Sequence, residues 1–162
     1  GGAALMGDTV LQRVVDGRTD YFYGMAHSGN LLTQDQFAVV DLGRVYKLES
    51  HATSWRQLAF PDLYEVHTSL DNKEWTRAFV LPAGRMGSAV HSRSGSGDPL
   101  LLTGGVFEEN LAARYVKLFI RKGTNFSRKH KSWNNVDLAE FVVFPGGDYS
   151  EIERIAKEEW RP

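Results

Sequence analysis

Residues 121–131, RKGTNFSRKHK, hold five Lys or Arg residues plus His130 and no acid. Phe126 lies inside this run and Trp133 just beyond it. Cationic and imidazole groups set among aromatic rings suit recognition of an anionic or hydroxyl-rich ligand. Trp55 and Arg56 have the same character within Ser54-Trp55-Arg56-Gln57, and Phe60 follows. A pyranose presents an apolar C–H face that an aromatic ring can cover. Its hydroxyls suit the planar donors and acceptors of Arg, Asn and His. The plainer readings are a solvated loop for the charge run and a core position for any one aromatic.

The carboxylates are a second source of chemistry. Glu140 alternates with Leu138 and Val142, so it shares a strand face with apolar side chains. A carboxylate there is costly unless it is paired or bound to a cation. A glycosidase needs two carboxylates across a cleft, and only Asp16, Asp20 and Glu140 approach such a group. No nucleophile elbow, phosphate loop, dinucleotide fingerprint or HExxH motif occurs, so an enzyme is not expected. His27, His51 and His67 lack zinc-ligand spacing and are assigned structural or surface roles. The chain has no cysteine, which excludes disulfides, thiolate metal sites and a Cys nucleophile.

Strands must position these groups. Tyr64, Val66 and Thr68 alternate with Glu65, His67 and Ser69, and Leu70-Asp71-Asn72-Lys73 supplies turn chemistry before Trp75, which is assigned to the core. Further strands are expected at 37–42, 45–51, 75–81, 100–105, 114–120 and 138–144, punctuated by Gly, Pro, Asn and Asp. The Gly/Ser-rich stretch 85–99 reads as a mobile surface loop. After Pro145-Gly146-Gly147, Ser150 and Glu153 fit a capping box, and 151–160 reads as a short helix.

The 162 residues are 42% hydrophobic, enough for one globular core. A net charge of −1 gives no global attraction to nucleic acid or membrane. No apolar run approaches the roughly 20 residues of a membrane helix. The start, GGAALMG, has neither the charged nor the apolar region of a signal peptide.

Five motifs stand in order: Asp16-Gly17, Val40-Asp41-Leu42-Gly43, Tyr64 through Trp75 (Y-x-V-x-x-S-x-D-x-x-x-W), ARYVKL from Ala113, and a closing strand carrying Glu140. Together they resemble the coagulation factor 5/8 type C (discoidin) family, whose bacterial members are the family 32 carbohydrate-binding modules. The resemblance covers residues 8–145. It implies an all-β fold, an eight-stranded antiparallel β-sandwich jelly roll of the galactose-binding-domain-like kind, over 1–146. Residues 147–162 then form a helical extension or linker. Animal secreted members usually carry a Cys pair, so its absence leans toward a bacterial module or an intracellular relative.

The resemblance also implies a ligand surface on loops 21–34, 53–61 and 122–135. Trp55 is the expected stacking platform there, and Arg56, Asn125, Arg128 and His130 the polar contacts. Phe60, Phe126 and His27 complete the surface, and Trp133 lies on the same loop, either as part of that surface or, in the plainer reading, wedged under the loop. In the family the closing Glu commonly binds a structural calcium ion, which here implies Asp16, Thr19, Asp20 and Glu140 as ligands. Arg18 and Tyr21 depart from the family pattern, and an ion pair from Glu140 to Arg18 is the alternative. The implied function is a noncatalytic carbohydrate-binding module, extracellular or on a cell surface. It would target an attached glycan-active enzyme to a glycan or polysaccharide, acidic ones included. The alternatives are a protein-interaction module of the same fold or a lipid head-group binder. Nucleic acid is not an expected ligand.

Overall fold

The apolar alternation becomes a curled sheet. A computed structural model describes residues 2–4, 26–56, 59–81, 90–93, 99–108, 110–127 and 131–145. Its strands are β1 (Gly2–Ala4), β2 (Ala26–His27), β3 (Asp35–Arg56), β4 (Glu65–Ser69), β5 (Thr76–Val80), β6 (Val90–Arg93), β7 (Pro99–Val106), β8 (Ala112–Ile120) and β9 (Asp137–Pro145). The main path runs β2-β9-β3-β8-β4-β5, with β7 also on β3 and β6 on β7. All these pairings are antiparallel. Only β1 runs parallel to its partner, the start of β3. This is the expected antiparallel all-β sandwich, and no helix occurs among the described residues. The expected helix at 151–160 and the extension 147–162 lie outside them.

The long β3 joins the two layers. Its first half pairs with β8, and its second half lies between β7 and β9. The sequence suggested two strands here, but the chain bulges after Asp41 rather than breaking. The Asp41 carboxylate accepts the Gly43 N–H at 2.8 Å, and Gly43 adopts φ +86°, a conformation that suits glycine. Asp41 also receives Arg114 Nε at 2.8 Å and Nη2 at 3.0 Å, so the VDLG and ARYV motifs meet in one bidentate pair. The Arg114 hydrogen bonds, then the Gly43 N–H, push the Asp41 carboxyl down to about 2.

The β4–β5 turn is built as its residues suggest. Ser69 Oγ accepts the N–H groups of Asp71 and Asn72, and Asp71 Oδ1 accepts those of Lys73 and Glu74. Asn72 takes φ 62°, which asparagine tolerates better than most residues. Two expectations change. Part of the proposed loop 85–99 is β6, because Val90 to Arg93 pair with β7. Trp75 is half-buried on the outer sheet face rather than in the core, with the Lys117 ammonium 4.0 Å from its ring centre.

Between the layers, Leu48, Trp55, Tyr64, Val66, Val116, Leu118, Ile120, Leu138 and Phe141 form the main cluster. His51 is fully buried in it, stacked 5.2 Å from Phe107 and edge-on to Phe79 at 4.5 Å. Its Nε2 lies 2.9 Å from the Tyr64 hydroxyl. The strands approach so closely here that a Cβ on Gly104 would sit 2.3 Å from the His51 carbonyl oxygen.

Burial pushes His51 down to about 3, opposed by a weaker interaction with the Gly105 backbone. Unfolded, the ring regains an ordinary value near 6.5 and binds a proton that the folded state refuses. Its contribution to stability is therefore complete above about pH 6.5 and falls by about 1.4 kcal/mol per unit below it, toward pH 3. Two results are expected. The His51 ring resonances stay neutral down to pH 4 while the domain remains folded, and His51→Phe flattens the loss of denaturant stability between pH 6 and 4.5. A His51 resonance titrating near pH 6.5 would contradict both.

Candidate functional site

The strand ends around Arg56, Ile120 and Asp137 carry three connecting segments, and backbone bonds sew them together. Asp137 N–H donates to Ala59 O at 2.8 Å, and Asp62 N–H to Asn125 O at 2.8 Å. Ser127 N–H donates to Phe60 O at 2.9 Å, and Pro61 and Phe126 form an isolated bridge. Leu31 N–H reaches Asn134 O at 2.8 Å, while Gly123 N–H reaches Leu31 O at 2.9 Å. The described parts of loops 21–34, 53–61 and 122–135 thus converge at one end of the sandwich, as the resemblance implied.

Side chains hold that arrangement from below. Gln36, fully buried, accepts the Gly29 N–H at 2.9 Å through Oε1. The Asp35 carboxylate accepts the Lys122 N–H at 2.8 Å. Arg56 Nη1 meets Asp137 Oδ2 at 3.3 Å, both side chains being almost wholly buried. Asp137 Oδ1 also accepts Asn135 Nδ2 at 2.9 Å. Asp137 therefore links the end of β3, the 57–64 connection and the 121–136 connection.

This geometry reassigns several residues. Trp55 is 0% exposed and its indole donates to Thr53 Oγ1 at 2.9 Å, so it offers no face to a ligand. The expected platform is a core residue. It points inward because β3 alternates, with His51, Thr53 and Trp55 on the inner side. Arg56 is likewise an internal brace rather than a ligand contact, held by Asp137. Phe60 and Phe126 are partly buried against the main core and brace the two loops they bridge. Asn125 is exposed at the rim, where a polar contact is possible. His27 pairs through its backbone with Asp137. Arg128 and His130 lie outside the described residues.

Of the two readings of Trp133, the exposed one holds: it is 37% exposed rather than wedged under its loop, and Leu32 is 50% exposed. They flank the Leu31–Asn134 bond, with Asn30, Lys122, Asn125 and Lys131 exposed on the same loops. The sequence signal was the polar setting Lys131-Ser132-Trp133-Asn134-Asn135, as loop-like as the one that favoured Trp55. The result is a surface carrying an exposed indole among amides and cations, a combination that can cover the C–H face of a hydroxylated ring.

Glu140, 2% exposed, faces the outer side of the sheet opposite Ser54. The buried Ser54 hydroxyl has no hydrogen-bond partner among the described residues. Asp16, Thr19 and Asp20, its expected co-ligands, lie outside them. A separate cleft of about 340 Å³ sits at the opposite strand ends, lined by Lys47, Leu48, Glu49, Val106, Phe107, Glu108 and Asn110. It shares no residue with the loop surface.

Comparison with known proteins bears on this geometry. The F5/8 type C domain family model matches residues 6–137. Curated protein sequences yield no match. Among solved structures, chitosan-binding module 1 from a chitosanase/glucanase of Paenibacillus sp. IK-5 is similar, with 19% identity and a TM-score of 0.58, over 89% of this chain and 92% of that one. The CBM32 of AlyQ in complex with 4,5-unsaturated mannuronic acid has 14% identity and a TM-score of 0.58, over 85% and 88%. A family 89 glycoside hydrolase from Clostridium perfringens has 15% identity and a TM-score of 0.57, over 89% of this chain but 13% of the hydrolase. At these identities the likeness concerns the fold.

Proposed function

The chain belongs to the F5/8 type C domain family, and from that premise we propose that it is a noncatalytic carbohydrate-binding module. The observation that carries the proposal is the convergence of three loops around the exposed Trp133, with Asn30, Asn125, Lys122 and Lys131 exposed on them. Trp133 replaces Trp55 as the stacking platform. Asn125 serves as a polar contact, and Arg128 and His130 belong to the same loop by sequence. Similar modules named for chitosan and for an unsaturated mannuronic acid support a glycan ligand. The similarity to a small part of a glycoside hydrolase supports attachment to a catalytic domain, in a protein that this reading places outside the cell or on its surface. Such attachment raises the effective concentration of enzyme at its polymer.

A structural calcium ion belongs to the same proposal. Asp16, Thr19, Asp20 and Glu140 would hold it, and the buried Ser54 hydroxyl beside Glu140 supports a polar centre there. Its role would be to tie the closing strand to the early loop, not to act on the sugar.

A glycan array of neutral, uronic and sulfated sugars identifies the ligand, and calorimetry measures it. Trp133→Ala is expected to weaken binding at least about tenfold, near 1.4 kcal/mol, without lowering the melting temperature. Unchanged affinity would remove Trp133 from the site, and an empty array from folded protein would overturn the glycan reading. Repeating the melt after chelation tests the ion, since an unchanged midpoint would exclude a structural calcium.

A further inference from the structure

The outer face of β8, β4 and β5 starts beside the loop end, at Arg121, and carries an unusual row of side chains along the strands. Lys117, His67 and Arg77 stand in register on the three adjacent strands. Neighbouring strands lie about 4.8 Å apart, comparable with the length of one pyranose ring in a polymer. The next rank along the strands holds Phe37, Phe119 and Glu65 in register. Trp75 flanks the row, its ring 4.0 Å from the Lys117 ammonium, and Phe37 contacts the same ammonium at 5.3 Å. His67 stacks on Phe119 with centroids 5.0 Å apart.

The charges do not balance. Glu65 is the single acid of the cluster, its side chain 5% exposed. It accepts a hydrogen bond from Arg121 Nε at 2.7 Å and meets His67 Nε2 at 3.1 Å, and Arg77 Nη1 stands 3.7 Å away as an ion-pair neighbour. Burial works against its charge, but the His67 and Arg121 hydrogen bonds outweigh it and hold the carboxyl below its ordinary value. Arg77 and Arg121 remain 60% and 59% exposed. Lys117 has no acidic partner among the described residues, and its partial burial lowers its basicity. Three cations thus face solvent over one satisfied carboxylate, with half-buried aromatic rings between them. Cation–ring contacts account for part of this arrangement, but they leave a net positive charge facing solvent, which suits an anionic ligand.

We propose that this face is a second binding surface, for a linear polyuronate chain lying across β8, β4 and β5. Lys117 and Arg77 would pair with carboxylates of nearby sugars, and Trp75 and Phe119 would cover C–H faces. The surface extends the module reading above from the loop site to a polymer track, and so rests on that reading.

Affinity electrophoresis in gels containing polygalacturonate tests it on the full chain, with neutral galactan and dextran sulfate gels in parallel. The Lys117→Gln/Arg77→Gln variant is expected to lose at least fivefold of the polygalacturonate retardation, roughly 1 kcal/mol. Lys117→Arg, which keeps the charge, should retain it, and an unchanged melting temperature of the double variant separates lost charge from a folding defect. The Trp75 indole N–H resonance should shift on titration with trigalacturonate. Wild-type retardation by the double variant, absent retardation of the wild type, or equally strong retardation by dextran sulfate would each overturn the proposal. A neutral glycan whose binding depends on Trp133 alone would leave the module reading intact while the track fails.

Discussion

Asp137→Ala is expected to destabilise the domain by about 3–5 kcal/mol, measured by urea denaturation. The loss has a specific origin. Arg56 and Asp137 are both nearly inaccessible, and removing the carboxylate leaves the guanidinium desolvated without its charged partner. The same carboxylate receives Asn135, so the variant also releases the connection that leads into β9. Replacing both members with apolar residues, Arg56→Met with Asp137→Leu, should recover much of the loss, because neither member is then left as a lone buried charge. A cost below about 1 kcal/mol for Asp137→Ala would mean that water reaches the pair. Where the single variant is still folded, sugar affinity should fall with it, since the Asp137 carboxylate holds Asn135, two residues from Trp133.

Trp55→Ala is expected to cost about 3–5 kcal/mol through the cavity left in the main core. The indole lies 6.1 Å from the Tyr64 ring, and its N–H serves Thr53, which in turn meets Thr103 Oγ1 at 2.7 Å. Trp55→Phe keeps most of the volume and loses the hydrogen bond, so about 1–2 kcal/mol is expected. Neither variant should alter glycan affinity per folded molecule. The opposite outcome, normal stability with binding abolished by Trp55→Ala, would return Trp55 to the ligand surface and displace Trp133.

The two tryptophans show how far local sequence carries. Both sit in polar neighbourhoods, Ser54-Trp55-Arg56 and Ser132-Trp133-Asn134, and local composition does not separate them. What separates them is strand phase. β3 continues through Arg56, so Trp55 takes the inward side with His51 and Thr53. Trp133 follows no strand and stands on a connection pinned by its neighbour Asn134. Arg56 was misread for a related reason. A strand-end arginine looks solvent-facing until a carboxylate 81 residues away closes on it.

Other features were readable because their chemistry is local. The Ser69-Leu70-Asp71-Asn72 turn satisfies its backbone with its own side chains, and the alternation of β8 needs no distant partner to be seen. The motif order likewise identified the family, since Asp41 and Arg114 had to be present before they could pair. The all-β class, the positions of most long strands and the alternation of β4 and β8 therefore follow from period-two patterning and turn chemistry. The choice of exposed aromatic, the Arg56–Asp137 brace and the cationic row across β8, β4 and β5 come from register between strands distant in the chain. Register is set by the packing of the whole sandwich, a sum of contacts that no short stretch of sequence contains.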